Sequence, residues 1–111
     1  MPDIQKLFRA VSKKELKDWN DAAIFRTAFN TLEAKRFFKT KNAVEDFIYH
    51  ARQQNFTPPY THIFEIDILK QCLTKLKIPE MILDRFDAIS VDEEHLPDFN
   101  KCIKFVQHYA I

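Results

Sequence analysis

The sequence contains no glycine. That absence removes phosphate-cradling loops, glycine-rich dinucleotide loops and the nucleophile elbow of serine hydrolases, each of which needs a residue without a Cβ at fixed positions. It also weighs against an all-β chain, because tight hairpins favour glycine at positive φ. Asparagine is left as the natural occupant of left-handed positions. Cysteine is scarce, with only Cys72 and Cys102 present. Each falls at an apolar position of a helix-spaced pattern, so both are expected as free, buried thiols. Free thiols suit a reducing compartment and a cytoplasmic location. No apolar run approaches the roughly 18 residues that a membrane-spanning helix requires. The first residues carry Asp3, Lys6 and Arg9 and lack the apolar core and small-residue cleavage pattern expected of a secretory signal.

Excess charge of one sign is missing too. Seventeen lysines and arginines face 16 aspartates and glutamates. A net charge of +1 therefore says nothing about the partner class. The distribution is less even. Residues 1–55 hold eleven bases and seven acids, whereas residues 56–111 hold six bases and nine acids.

Apolar side chains are plentiful, at 46% of 111 residues. A chain of this size buries about two-thirds of its extended surface on folding, enough for one helical domain over 1–111 without staples. The spacing of those side chains predicts an all-α fold, a compact irregular bundle of about six or seven short helices. Ile4, Leu7, Phe8 and Val11 recur at helical intervals. Ser12 with Glu15 reads as a capping box for a second helix, facing the core with Leu16 and Trp19. Ile24, Phe25, Ala28, Phe29 and Leu32 define a helix over 21–39. Asn42 with Glu45 opens another, carrying Val44, Phe47, Ile48 and Ala51 to about Gln54. The Pro58-Pro59 pair then stiffens a connection at 56–60, the best candidate for an internal boundary.

Phe64, Ile66 and Ile68 alternate with Glu65 and Asp67 in the manner of a strand. The same region also fits a helix over 62–77 through Phe64, Ile68, Cys72 and Leu76. The helix is preferred because a strand needs partners, and only Ala88–Val91 offers a weak one. Further helices are expected after Pro79, around Ser90–Leu96 and from Pro97 to the end.

Chemistry-bearing patterns are thin. His50, His62, His95 and His108 share no ligand spacing with each other or with the cysteines, so no metal or other cofactor is expected. Ser12 and Ser90 read as helix caps. Apolar surroundings disfavour thiolate formation at Cys72 and Cys102. No catalytic residue is assigned, and the chain is expected not to be an enzyme.

Aromatic residues are the informative excess, with eleven phenylalanines among 111 residues. The expected function is a noncatalytic protein–protein interaction module, an adaptor, regulator or effector-recognition domain, using aromatic anchors between helices. Its partner is another protein or a second copy of the chain. The assigned surface comprises Phe56, Pro58, Pro59 and Tyr60, with Tyr49 beside His50 at the edge of the preceding helix, and Phe37 with Phe38 as a second group. The alternative is a helical nucleic-acid-binding protein using Lys35, Arg36, Lys39 and Lys41, joined by Lys13, Lys14 and Lys17 if the helices pack side by side.

Overall fold

The computed structural model describes residues 3–25, 35–56, 59–83 and 86–111. Its elements run β1 (Ile4–Val11), α1 (Lys13–Ala22), β2 (Lys35–Phe38), α2 (Lys41–Gln53), β3 (His62–Leu69), α3 (Lys70–Leu76), β4 (Glu80–Leu83), β5 (Phe86–Val91), α4 (Leu96–Cys102) and β6 (Ile103–Ala110). The expected all-α bundle is therefore incorrect. The fold is mixed α/β, built on a six-stranded antiparallel sheet of order β4-β5-β2-β1-β3-β6.

The physical source of the error is burial on both sheet faces. Along β1, Leu7 and Val11 enter one core, while Phe8 and Ala10 enter the other. A strand buried on one face alternates apolar and polar residues; one covered on both faces loses that signature. The resulting spacing of Ile4, Leu7, Phe8 and Val11 imitates a helix. The β3 alternation is real, and its partners are β1 on one side and β6 on the other. Both partners lie in segments whose spacing predicts helix.

The first face carries α1, α3 and α4. Leu7, Val11, Phe37, Phe64, Ile66, Ile68, Ile89 and Val91 of the sheet pack there with Leu96, Phe99 and Cys102 of α4, and Leu16 and Trp19 of α1 lie against them. Phe25, just beyond α1, closes this core edge-on to Phe37 and Phe64. Asn100 clamps the Phe25 backbone in both directions: its Oδ1 accepts from the Phe25 N–H at 2.8 Å, and its Nδ2 donates to the Phe25 carbonyl at 2.7 Å. Among the described residues the second face carries α2, which buries Ala43, Val44 and Ile48 against Phe8, Phe38, Ile63 and Ala88.

Half of the capping box expected for α1 forms: Ser12 Oγ accepts from the Glu15 N–H, while the Glu15 carboxylate turns to Arg9 instead of the Ser12 N–H. For α2 the cap lies two residues earlier than expected, at Thr40, which accepts from the Ala43 N–H at 3.2 Å. The helix expected over 21–39 is replaced at its ends by the last turn of α1 and by β2; its stripe at Ala28, Phe29 and Leu32 lies outside the described residues.

The two cysteines are not free. Cys72 of α3 and Cys102 of α4 form a disulfide across a Cα separation of 6.0 Å. The apolar positions suited burial, but the adjacency of two helices 30 residues apart in sequence is set by the sheet beneath them. No helix among the described residues is long and apolar enough to cross a membrane.

Without glycine, three other residues among those described take the left-handed conformation: Ala23 at φ 59°, Asn55 at φ 53° and Lys77 at φ 55°. Lys77 ends α3 in a Schellman motif, with Ile78 N–H bonding the Leu73 carbonyl and Lys77 N–H bonding the Thr74 carbonyl.

Two stability predictions result. Lys77→Gly should raise the unfolding free energy by about 0.5–1 kcal/mol, because a Cβ at positive φ costs more than glycine's extra chain entropy. A urea titration showing lower stability would contradict this account. Cys72→Ser should lower stability by about 3–4 kcal/mol, the chain-entropy value for a loop of this length. Reductant should weaken the wild type similarly and leave the variant unchanged.

Candidate functional site

The C-terminal end of α2 creates the most distinctive surface. Asn55 takes the left-handed position after the helix, with its N–H on the Arg52 carbonyl at 3.1 Å. Phe56 N–H then reaches back to the Ala51 carbonyl at 3.0 Å. This is again a Schellman arrangement, and it folds the residue after the reversal back beside the last turns of the helix. Phe56 is thereby delivered next to Ala51 rather than into solvent beyond the helix.

There its ring stacks on Tyr60, with centroids 5.5 Å apart and planes inclined by 12°. Tyr60 meets Phe47 at 5.5 Å, and Phe47 meets Phe38 at 5.2 Å. A continuous aromatic chain runs from Phe38 in the second core, 2% exposed, to Phe56, 51% exposed. Two clefts share the Phe56–Tyr60 pair and Ala51. The larger, about 550 Å³, is completed by Arg36, Phe47, His50 and Gln54. The smaller, about 270 Å³, is completed by Arg52, Asn55 and Pro59.

Strand alternation explains Arg36. In β2, Lys35 and Phe37 point to the first face, so Arg36 and Phe38 point to the second. The Arg36 side chain is exposed, and among the described residues no hydrogen bond or ion pair engages its guanidinium. Burial raises the Tyr60 phenol above its ordinary pKa, while the positive charges of Arg9 and Arg36 oppose that rise.

The cleft wall is braced from the opposite face. Arg9 Nη1 donates to the Arg36 carbonyl at 3.0 Å. The same guanidinium forks onto Glu15, with Nε–Oε2 at 2.6 Å and Nη2–Oε1 at 2.8 Å. Lys35, buried at 8% exposure, lies 3.5 Å from Glu15 Oε1. Burial alone would raise the Glu15 pKa. The hydrogen bonds and charge of Arg9, with the charge of Lys35, outweigh it and hold the carboxyl below its ordinary value. Lys35 shifts down as well, because burial and the nearby Arg9 charge exceed the attraction of Glu15. The bidentate Arg9–Glu15 pair is therefore the stabilising contact, and Lys35 is a tolerated cation beside it.

The sequence-derived residues divide clearly. Phe56, Pro59 and Tyr60 line the clefts. Pro58 lies outside the described residues. Tyr49, 59% exposed, sits on the outward side of α2, where its hydroxyl accepts from Gln53 Nε2 at 2.9 Å. Phe37 and Phe38 are interior, one in each core. Of the seven basic residues, Lys35 faces Glu15, Lys39 pairs with Glu80, and Lys41 lies 5.4 Å from the Tyr109 ring centroid. Lys13, Lys14 and Lys17 are exposed on α1, across the sheet from the face to which Arg36 points.

Phe47, Ala51, Arg52 and Asn55 were missed by sequence reasoning. The available signal was Asn55 itself, the residue suited to a left-handed stop after α2 in a chain without glycine. Elsewhere, Glu65 and Asp67 share one sheet face as their alternation requires, and Lys6 lies between them at 3.2 and 2.9 Å. Among the described residues, no group of three or more His, Cys, Asp or Glu is arranged to hold a metal ion. No protein-family model, curated protein or solved structure gives a significant match to the chain.

Replacing Glu15 tests the brace. Glu15→Gln leaves Arg9 and Lys35 facing each other without their carboxylate and should cost about 2–4 kcal/mol at neutral pH. The folded pKa of Glu15 is depressed. Its contribution is therefore fully present above the ordinary carboxylate range and fades as pH falls through the folded value. Denaturation curves at several pH values should show the wild-type advantage shrinking in acid. An advantage independent of pH would refute the assignment.

Proposed function

We propose that this protein is a noncatalytic protein-recognition module whose binding surface is the Phe56–Tyr60 ridge with the two clefts that border it. The observation that carries this reading is the half-exposed Phe56 ring, stacked on Tyr60 and continued inward through Phe47 to the buried Phe38. An exposed aromatic supported in this way loses little freedom when a partner covers it. Large aromatic anchors beside polar rims are the usual centres of protein interfaces. His50, Gln54, Asn55 and the two arginines supply such a rim.

The basic-patch alternative draws less support. Three of its seven residues are already occupied by Glu15, Glu80 and the Tyr109 ring. The disulfide between α3 and α4 fits a compartment where disulfides persist. That weighs against the cytoplasmic placement drawn from free thiols.

Affinity capture with the full chain, followed by reconstitution with each purified candidate, tests the reading. Phe56→Ala and Tyr60→Ala, each checked for folding by circular dichroism, should weaken direct association at least about tenfold, as truncation of an interface anchor does. Unchanged affinity for both variants would remove this surface as the binding site.

A further inference from the structure

We infer that the partner segment engaged by this surface is acidic: an extended peptide with an apolar residue over the Phe56–Tyr60 ridge and a carboxylate on each side. This rests on the recognition reading above and names the chemistry of its partner.

The inference comes from what lines the two clefts. Both border the ridge, and each contains one arginine: Arg36 in the larger and Arg52 in the smaller. Neither cleft has an aspartate or glutamate among its described lining residues. Both arginines are exposed, and among the described residues neither guanidinium is engaged in a hydrogen bond or ion pair. Lys6 and Arg9 of β1, Lys35 of β2 and Lys39 just after it each contact a carboxylate. The acid nearest the larger cleft in sequence, Asp46, is one helical turn from His50, with its Oδ2 3.2 Å from Nε2.

Charge complementarity selects the partner. A basic segment would place like charges beside Arg36 and Arg52. A neutral one would cover two guanidiniums without replacing their water contacts. A carboxylate offers each arginine a planar, bidentate acceptor. Carboxylates two positions to either side of the apolar residue suit an extended chain, in which side chains i−2, i and i+2 share the face turned toward the protein. A single-stranded nucleic acid could also combine stacking with anionic contacts. Peptide is favoured because Phe56 and Tyr60 stack on each other. That gives an apolar ridge, not two separated platforms for successive bases.

The test uses the full-length protein with random nonapeptides displayed on phage, followed by fluorescence anisotropy with synthetic peptides. Selected sequences should carry Asp or Glu on both sides of an apolar residue. Arg36→Glu and Arg52→Glu should each weaken their binding about five- to tenfold, and added salt should weaken it further. The double reversal should instead favour the same peptides with Lys in place of the acids. Because both side chains are exposed, thermal melts should show the variants folded.

Several results would overturn the inference. Selected peptides with neutral or basic flanks, sensitive to Phe56→Ala but not to the arginine reversals, would reject acidity and leave the recognition surface standing. Failure to select any peptide would count against both. Tighter binding of a 12-nucleotide oligo(dT) than of the acidic peptides would replace the peptide with a nucleic acid.

Discussion

β1 lies inside the sheet with neighbours on both edges and packed cores on both faces. Its whole length pairs with β3, from Ile4↔Leu69 to Val11↔His62. Leu7 and Val11 face one core and Phe8 and Ala10 the other. Everything else is arranged around this constraint. The four helices among the described residues are divided between two sides, with α1, α3 and α4 on one and α2 on the other. The strands joined by the longest register, β1 and β3, come from opposite sides of the 56–60 connection. Residues on both sides of that connection therefore belong to one sheet. Loss of alternation along β1 is the sequence consequence of the same geometry.

How much of the fold could be read depends on where that constraint acts. Helices α1 and α2 lie on the outside with one apolar side each, and their positions were legible to within a few residues. The β3 alternation was also visible. It lost to helix because hydrogen-bonding partners could not be seen: β1 was disguised by two-sided burial and β6 by a different effect. In β6 the partly buried residues are Ile103, Val106 and Tyr109, a spacing of three. The register with β3 slips between Asp67 and Ile68, where Lys104 is passed over. A bulge shifts the alternation, and an edge strand is only half covered. Together with Phe99 and Cys102 from α4, the spacing then passes for one long helix. The disulfide was hidden for the same reason, since only the sheet makes α3 and α4 neighbours.

The candidate site was partly legible. Phe56 and Tyr60 stood out because two prolines beside them signal a fixed connection. Phe37 and Phe38 were equally conspicuous, yet adjacent residues in a strand point to opposite faces, and here both faces are core. That same alternation sends Lys35 to the first face, beside Glu15, and Arg36 to the second, where it is exposed. No helical reading of the segment could separate them this way. Arg52 and Asn55 required knowing how α2 stops. The absence of glycine made that question answerable in principle, because few other residues tolerate positive φ. Lys77 and Ala23 show the limit of the reasoning: neither is a residue type that announces a left-handed stop.

The same stop connects folding to recognition. A helix ending with its chain continuing outward would have left Phe56 as a freely moving ring. The reversal at Asn55 instead returns it to Ala51, where it stacks on Tyr60, which is itself backed by Phe47. The other wall of the larger cleft comes from β2, whose Arg36 carbonyl is held by Arg9, itself fixed by Glu15 from the first layer. The surface thus rests on both layers at once. Its aromatic ridge is anchored in the core beneath α2, and its cationic wall is held by a charge pair beneath α1. On the proposed reading, a partner would meet both parts already in place, so association need not supply that ordering free energy. A surface assembled in advance from rigid rings and a braced strand favours discrimination by shape and charge over adaptation to many partners.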